Sequence, residues 1–436
     1  MNVNEATTYY AVVDCDNCFV SCERVFRPDL RNKPVVVLSN NDGCVVARSN
    51  EAKRLGVKAG TPFFRLAEQF PGCDIAVFSS NYELYGDMTA RVMSKVRQAA
   101  PEFYRYSIDE AFVVIRDGRD LKAWGEQLSQ DIYRCVGMPV SIGIAPNKTL
   151  AKMASHFAKH YPGYRHCCLI DSDERRVKAL KLFLIGDVWG IGRRYAARLQ
   201  SLGIHTAWDF ASQSKSWVSA SFNVVATRTW RELVGEDCVP MEAPAKKQSI
   251  CVSRSFPKLI SEKEAVQRYV ANYAARCAEK LRRQESVAAV VGVFLSTSRF
   301  REDLQQYANY EETHLLTPTD ATITLVKTAE QTLEKMWREG LLYKKAGVVV
   351  SDVRNAVGVQ TNLLDYDAER FAKMKRLDGV LDKINKRDGS ETVVLGTQQF
   401  TKKTGDGRSI RFADAITHDH RSPGYTTRWS DIIELK

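Results

Sequence analysis

The chain has 436 residues, of which 44% are hydrophobic and 26% charged, enough for roughly three domains of about 150 residues with ordinary packed cores. Sixty-three Lys and Arg against 52 Asp and Glu leave a net charge of +11, spread along the chain with no basic tail, which favours a polyanionic partner without naming one. The longest apolar run, Val287 to Leu295, falls far below the roughly 20 residues that cross a bilayer, and the opening MNVNEATTYY lacks the basic-then-apolar order of a signal peptide, so a cytoplasmic protein with no membrane partner is expected.

Residues 1–170 alternate strand and helix patterns. YYAVVD (9–14) is an apolar run ending in an acid; KPVVVLSNNDGCVVARS reads as two strands joined by Asp42-Gly43; LYGDMTARVMSKVRQ is amphipathic. Cys15, Cys18 and Cys22 resemble half of a zinc site, but the only adjacent cysteine pair, Cys167-Cys168, has no ligand spacing. The eleven cysteines therefore read as mostly reduced, and these three as small apolar residues at a strand end and a helix start. FYRYSIDEAFVVI reads as two strands meeting in a hairpin, and PVSIGIA as a further strand with Val140, Ile142 and Ile144 alternating against small residues. A helix capped by Asn147 follows. Its Leu150, Met153, Ala154 and Phe157 share one face, and Lys148, Lys152 and Lys159 gather on the opposite one.

Residues 171–240 read as short-looped helices, and Pro240, Pro244 and Lys246-Lys247 as a linker. Residues 249–352 read as β-α-β-β-α-β: ICVSRSF, a helix opened by a Ser261-Glu264 capping box and striped by Val266, Val270, Tyr273, Cys277 and Leu281, AVVGVFLSTS, HLLT, a helix from Thr319 to Glu339, and KAGVVVSDV. That order predicts a small sheet with helices on one face. The last 80 or so residues yield little about fold.

Asp109 and Glu110 interrupt an otherwise buried hairpin, where unpaired carboxylates would cost several kcal/mol, so they call for cations. As an isolated pair they would read as turn residues. With Asp14 at the end of the first strand, three carboxylates converge on one sheet rim if the strands are neighbours. Oxygen-only sites of this kind suit Mg²⁺, and two ions about 3.5–4 Å apart serve phosphoryl displacement. The run VWGIGRRYAARLQSLGI adds the Gly-hydrophobic-Gly turn of a helix-hairpin-helix. Gly190 and Gly192 permit close approach of the backbone to a DNA phosphate, and Arg193, Arg194 and Arg198 add charge.

In order along the chain, VVDCDNCFVSCE, VVVLSNNDGCVVARSNEAKRLGVKAG, YSIDEAF, NKTLAKMASHFAK and VWGIGRR resemble the motifs of Y-family translesion DNA polymerases. FSSNYELY and SPGYTTRWSDII resemble the UmuC branch of that family. The resemblance implies an α+β right hand: a ferredoxin-like palm (1–17 and 85–170), small fingers (18–84), a helical thumb with the helix-hairpin-helix (171–240), a βαββαβ little finger (249–355) and a partner-binding tail (356–436). It implies error-prone, template-directed translesion synthesis in the SOS response to DNA damage, using primer-template DNA, dNTPs and two Mg²⁺ ions. Asp14, Asp109 and Glu110 match the metal acids, the Cys15 backbone carbonyl a further ligand, Phe19 the steric gate that excludes a 2′-OH, and Lys159 a triphosphate-binding lysine. Lys53 stands where many members have arginine and Asn50 where they have tyrosine, so Lys53 or Arg54 is expected to grip the triphosphate. Arg254 in the little finger joins the expected DNA contacts. Gln360, Leu363 and Leu364 match a peptide that inserts into the β sliding clamp. The rest of the tail implies association with a processed UmuD-like dimer and a RecA filament. A palm-fold nucleotide cyclase is disfavoured because no glycine pair precedes Asp109, and an inactive DNA-bound scaffold because all three acids are present.

Overall fold

The chain divides into two compact units, Met1–Ala243 with Asp419–Lys436, and Pro244–His418. The computed structural model describes residues 8–100, 102–241, 246–358, 362, 367–389, 392–398, 400–403, 409–412 and 418–433. In the first unit, β1 (Tyr9–Cys15) leads into α1 (Cys18–Phe26). There follow β2 (Val35–Leu38), β3 (Val45–Arg48), α2 (Asn50–Arg54), α3 (Phe63–Gln69), β4 (Ala76–Ser79), α4 (Tyr82–Ala99), β5 (Phe103–Arg105), β6 (Glu110–Ile115), α5 (Leu121–Val136), β7 (Val140–Ala145), α6 (Lys148–His160) and β8 (Cys167–Leu169). Five strands form one sheet in the order β5-β6-β1-β7-β8, with β1 antiparallel to both neighbours.

The continuous apolar run of β1 follows from burial of both its faces. Tyr10 and Val12 share a core with Phe112 and the Leu150, Met153 and Phe157 side chains of α6. Ala11 and Val13 share another with Val113, Ile142, Leu84 and Ile132, into which Cys15, Cys18 and Cys22 pack as free, buried thiols. Helix α6 lies directly on β7, and Gly143 is what lets it. A Cβ there would fall 2.0 Å from the Ser155 backbone nitrogen and 2.2 Å from the Ala151 carbonyl oxygen. Gly143→Ala must push α6 off the sheet and is expected to cost about 3 kcal/mol or more. Thermal unfolding of the full chain checks this; an unchanged midpoint would show that the helix can shift without penalty.

The strands β2 and β3 pair antiparallel as expected, and β4 lies parallel on the other side of β2. The turn between β2 and β3 departs from expectation. Its left-handed residues are Asn41 (φ 58°) and Asp42 (φ 47°), whereas Gly43 sits at φ −74°. Helices α7 (Asp173–Leu182), α8 (Arg193–Ser201), α9 (Ala207–Ala211), α10 (Lys215–Ser221) and α11 (Val224–Leu233) then pack Leu180, Leu199, Phe210, Val218 and Leu233 into the same core as α6.

The second unit runs β9 (Ile250–Ile260), α12 (Lys263–Arg283), β10 (Ser286–Thr297), β11 (Ala308–Thr319), α13 (Thr322–Met336) and β12 (Tyr343–Asn355), the expected element order, in an antiparallel sheet ordered β11-β10-β12-β9. All five predicted stripe residues of α12 are buried in its core. Two boundaries differ from expectation. The Ser261-Glu264 capping box does not form: Ile260 pairs with Tyr343 in the sheet, the helix opens at Lys263, and Glu262 holds the cap position without a side-chain bond. Thr319 belongs to β11, paired with Ala288, so α13 starts later than the pattern indicated. Beyond β12, α14 (Ala368–Asp388) is tied down by Arg282, whose Nε and Nη2 each reach Asp382 at 2.7 Å. A hairpin of β13 (Phe400–Lys403) and β14 (Ser409–Phe412) follows. No helix among the described residues is long and apolar enough to cross a membrane.

Candidate active site

Asp14 in β1 stands directly opposite Glu110, the first residue of β6. The Cys15 N–H donates to the Asp109 carbonyl at 3.0 Å, so the hairpin turn brings all three predicted acids to one rim. Ser107 sets that turn. Its Oγ donates to Asp109 Oδ1 at 2.6 Å and accepts from the Asp109 and Glu110 N–H groups at 3.2 and 3.0 Å. A cleft of about 340 Å³ opens here, lined by Asp14, Glu110, Lys152, His156, Lys159 and Trp189 among others.

The cations the acids call for come from α6. Lys152 Nζ lies 2.8 Å from both Glu110 oxygens, and Lys159, two turns on, lies 2.8 Å from Asp14 Oδ1. Burial pushes the Asp14 carboxyl up to about 7 against the opposing pull of Lys159. Burial also acts to lower the Lys159 pKa, but Asp14 and Asp16 outweigh it and leave the ammonium strengthened. Asp16 was missed at the sequence level. The Ser141 hydroxyl donates to its carboxylate, with Oγ 2.9 and 3.0 Å from the two oxygens; Asp16 lies 3.6 Å from Lys159, and its spacing of two residues from Asp14 was the available signal. Lys148, grouped with Lys152 and Lys159 on one face by its spacing, is set apart from them by burial: it lies 2.7 Å from Asp237 and 3.7 Å from the Tyr10 ring centroid.

Each acid is turned to its own partner, Asp14 to Lys159, Glu110 to Lys152 and Asp109 to Ser107. Among the described residues no group of three or more His, Cys, Asp or Glu is gathered as a metal cage. The donor set nevertheless fits Mg²⁺: hard oxygens on neighbouring strands, one of them a partly buried carboxyl that a divalent cation would hold ionised.

Phe19, on the first turn of α1, is held between rings of α4. It stacks on Tyr85 with centroids 4.7 Å apart and planes at 15°, and meets Tyr82 edge-on at 5.7 Å. On α2, Lys53 Nζ donates to Asn17 Oδ1 at 2.6 Å while Asn17 Nδ2 donates to Asn50 at 3.1 Å. Burial lowers the Lys53 pKa, and repulsion from Lys159 adds to it, which places Lys53 in the same electrostatic field as the acids. Arg54 is exposed beside it.

Residues 13–156 match the impB/mucB/samB family, and residues 247–363 match the C-terminal domain of that family. The chain is 41% identical to Protein UmuC of Salmonella typhimurium, over 98% of this chain and 100% of that protein. It belongs to the impB/mucB/samB family. DNA polymerase IV of Corynebacterium diphtheriae is 28% identical over 72% of this chain and 70% of its own length. A solved Y-family DNA polymerase chimera of Dbh and Dpo4 shares the fold, with a TM-score of 0.62 at 20% identity over 80% of this chain and 99% of that one. The chain is thus a UmuC-like, Y-family DNA-directed DNA polymerase of the translesion class with a right-hand α+β fold. Its residues 375–435 match a domain of unknown function, DUF4113.

In this UmuC-like chain the glycine turn before α8 has two distinct parts. Gly190 adopts φ +90°, and a Cβ on it would lie 2.3 Å from Thr229 Oγ1, so its role is internal packing; Gly192 has open space and caps α8. Arg193 and Arg194 are exposed at the helix start. Arg198 is committed to the fold: its Nη1 donates to the Ser221 carbonyl at 2.9 Å and its guanidinium lies over Phe222. Arg254 lies on β9 opposite Ala346. Gln360, Leu363 and Leu364 lie outside the described residues.

Proposed function

We propose that this polymerase extends primers across damaged template bases by two-metal nucleotidyl transfer, as part of the SOS response to DNA damage. The observation that carries the reading is the cross-strand pair Asp14 and Glu110, joined by Asp109 at the same rim and paired directly with Lys159 and Lys152 in the lining of an open cleft. Asp14, Asp109 and Glu110, with the Cys15 carbonyl, would hold two Mg²⁺ ions. Bound there, the ions would lower the pKa of the primer 3′-OH and neutralise charge on the departing pyrophosphate. Lys159, Lys53 and Arg54 bind the triphosphate, Phe19 excludes a 2′-OH, and the palm 1–17 and 85–170 carries the chemistry; fingers 18–84, thumb 171–240 and little finger 249–355 are the other domains of the hand. Residues 356–436 serve partners in the cytoplasm: a processed UmuD-like dimer, a RecA filament and, through Gln360, Leu363 and Leu364, the β sliding clamp.

Primer extension on an undamaged template with Mg²⁺ tests the reading. Extension is expected; DNA binding without extension would indicate a scaffold, and conversion of GTP to a cyclic dinucleotide would indicate a cyclase. DNA grip is assigned to the backbone at Gly192, to Arg193 and Arg194, and to Arg254, with little base readout. Because phosphate contacts release counterions, Arg193→Ala and Arg194→Ala should each lower the slope of log affinity against log salt by about one. Titration of a fluorescent primer-template at several salt concentrations measures it, and an unaltered slope removes that arginine from the footprint.

A further inference from the structure

The segment Asp419–Lys436 belongs to the first unit, although the whole second unit, Pro244–His418, precedes it in sequence. It meets the first unit at the edge of β4 and the start of α4. The Ser79 N–H donates to the His420 carbonyl at 3.0 Å, and the His420 N–H donates to Ser79 Oγ at 2.9 Å, extending the edge of the small sheet. Asn81, whose Oδ1 caps α4 at Leu84, donates through Nδ2 to the Ser422 carbonyl at 3.2 Å, to Ser422 Oγ at 3.1 Å and to the Pro423 carbonyl at 3.3 Å. Arg421 reaches Asn81 Oδ1 at 3.1 Å and Glu83 at 2.8 Å, and Tyr425 stacks on Phe26 of α1 at 4.4 Å.

The deepest contact is made by Ser422. Its Oγ donates to Glu23 Oε1 at 3.0 Å, and the same oxygen accepts from the Tyr85 hydroxyl at 2.7 Å. Glu23 and Tyr85 are fully buried and Ser422 nearly so. Glu23 sits one helical turn after Phe19 on α1, and Tyr85 is the ring on which Phe19 stacks. One buried carboxylate oxygen therefore links the C-terminal segment to the ring behind Phe19. Without the Ser422 donor, the Glu23 carboxylate would rely on the Tyr85 hydroxyl in a site closed to water, because its second oxygen already lacks a partner among the described residues.

We propose that Ser422 and Glu23 are positioning residues for sugar selection: the C-terminal segment holds Tyr85, and through it Phe19, at the place where a 2′-OH must be refused. This rests on the reading of Phe19 as the gate. Loosening Tyr85 gives the Phe19 ring room to tilt, so the loss appears as poorer discrimination rather than as loss of chemistry.

The experiment is single-nucleotide insertion of matched ribo- and deoxynucleotides by the full-length chain, comparing Ser422→Ala, Ser422→Thr, Tyr85→Phe and Phe19→Ala. Ser422→Ala and Tyr85→Phe should each raise the ribo/deoxy ratio of kcat/KM by about three- to tenfold, the effect of one ordinary hydrogen bond. Ser422→Thr, which keeps the hydroxyl, should restore the parent ratio, and Ser422→Ala should add nothing once Phe19 is alanine. If Phe19→Ala raises the ratio while Ser422→Ala and Tyr85→Phe leave it unmoved, or if the Ser422 effect persists in full without the Phe19 ring, the relay is wrong and the gate stands. If Phe19→Ala itself leaves the ratio unmoved, the gate assignment fails and the relay with it. Should Ser422→Ala not fold, Tyr85→Phe alone decides, because it removes the same link from the other end.

Discussion

Asp109→Asn should lower single-turnover nucleotide insertion by about 10³-fold or more while leaving primer-template affinity nearly unchanged. The variant is isosteric, and its Oδ1 can still accept from Ser107 Oγ, as Asp109 Oδ1 does in the structure. The turn that presents Glu110 should survive. What disappears is a negative charge at the rim shared with Asp14 and Glu110, where the proposed ions must be held against the repulsion of Lys152 and Lys159. Quenched-flow insertion and anisotropy binding, measured on one preparation, separate the two effects. Near-normal insertion by Asp109→Asn would remove this residue from the catalytic centre.

The second large effect concerns the sugar. Phe19→Ala should raise the ribo/deoxy ratio by about 10²-fold, because discrimination of this kind depends on a clash that a methyl group cannot deliver. As the proposed gate the ring has little freedom to swing aside for an extra hydroxyl, since Tyr85 and Tyr82 clamp it. Loss of that stacking should also cost about 1–3 kcal/mol of stability, since the ring is half-buried. Competitive incorporation from mixed nucleotide pools provides the readout, and an unchanged ratio assigns the gate to another side chain.

The sequence was most legible where local pattern and burial agree. Continuous apolar strands, the α6 core face and the acid-bearing hairpin all rest on neighbours in the chain or on one buried face, and each reappears in the structure. Partners distant in sequence were not legible. Lys148 has the spacing of a solvated face yet meets Asp237, a pairing that depends on where α11 ends. Arg198 resembles a DNA contact but binds the Ser221 carbonyl. Ser261 has the composition of a helix cap, but sheet pairing of Ile260 with Tyr343 fixes the entry to α12. SPGYTTRWSDII carries a family signal without disclosing its place, because nothing local encodes that Ser422 meets Glu23 across nearly the whole chain. The convergence of Asp14, Asp109 and Glu110 on one rim was legible, but their partners in the structure were not: the lysines that face them depend on where α6 lies across the strand ends.

That this chain is a translesion polymerase acting at the rim of β1 and β6 is tested most directly by extension past a single template abasic site with Mg²⁺, in the presence of the processed UmuD-like dimer and RecA filament. Product beyond the lesion is expected with the natural chain and none with Asp109→Asn. Absence of bypass by the natural chain, with primer-template binding intact, or equal bypass by the two chains, would contradict it.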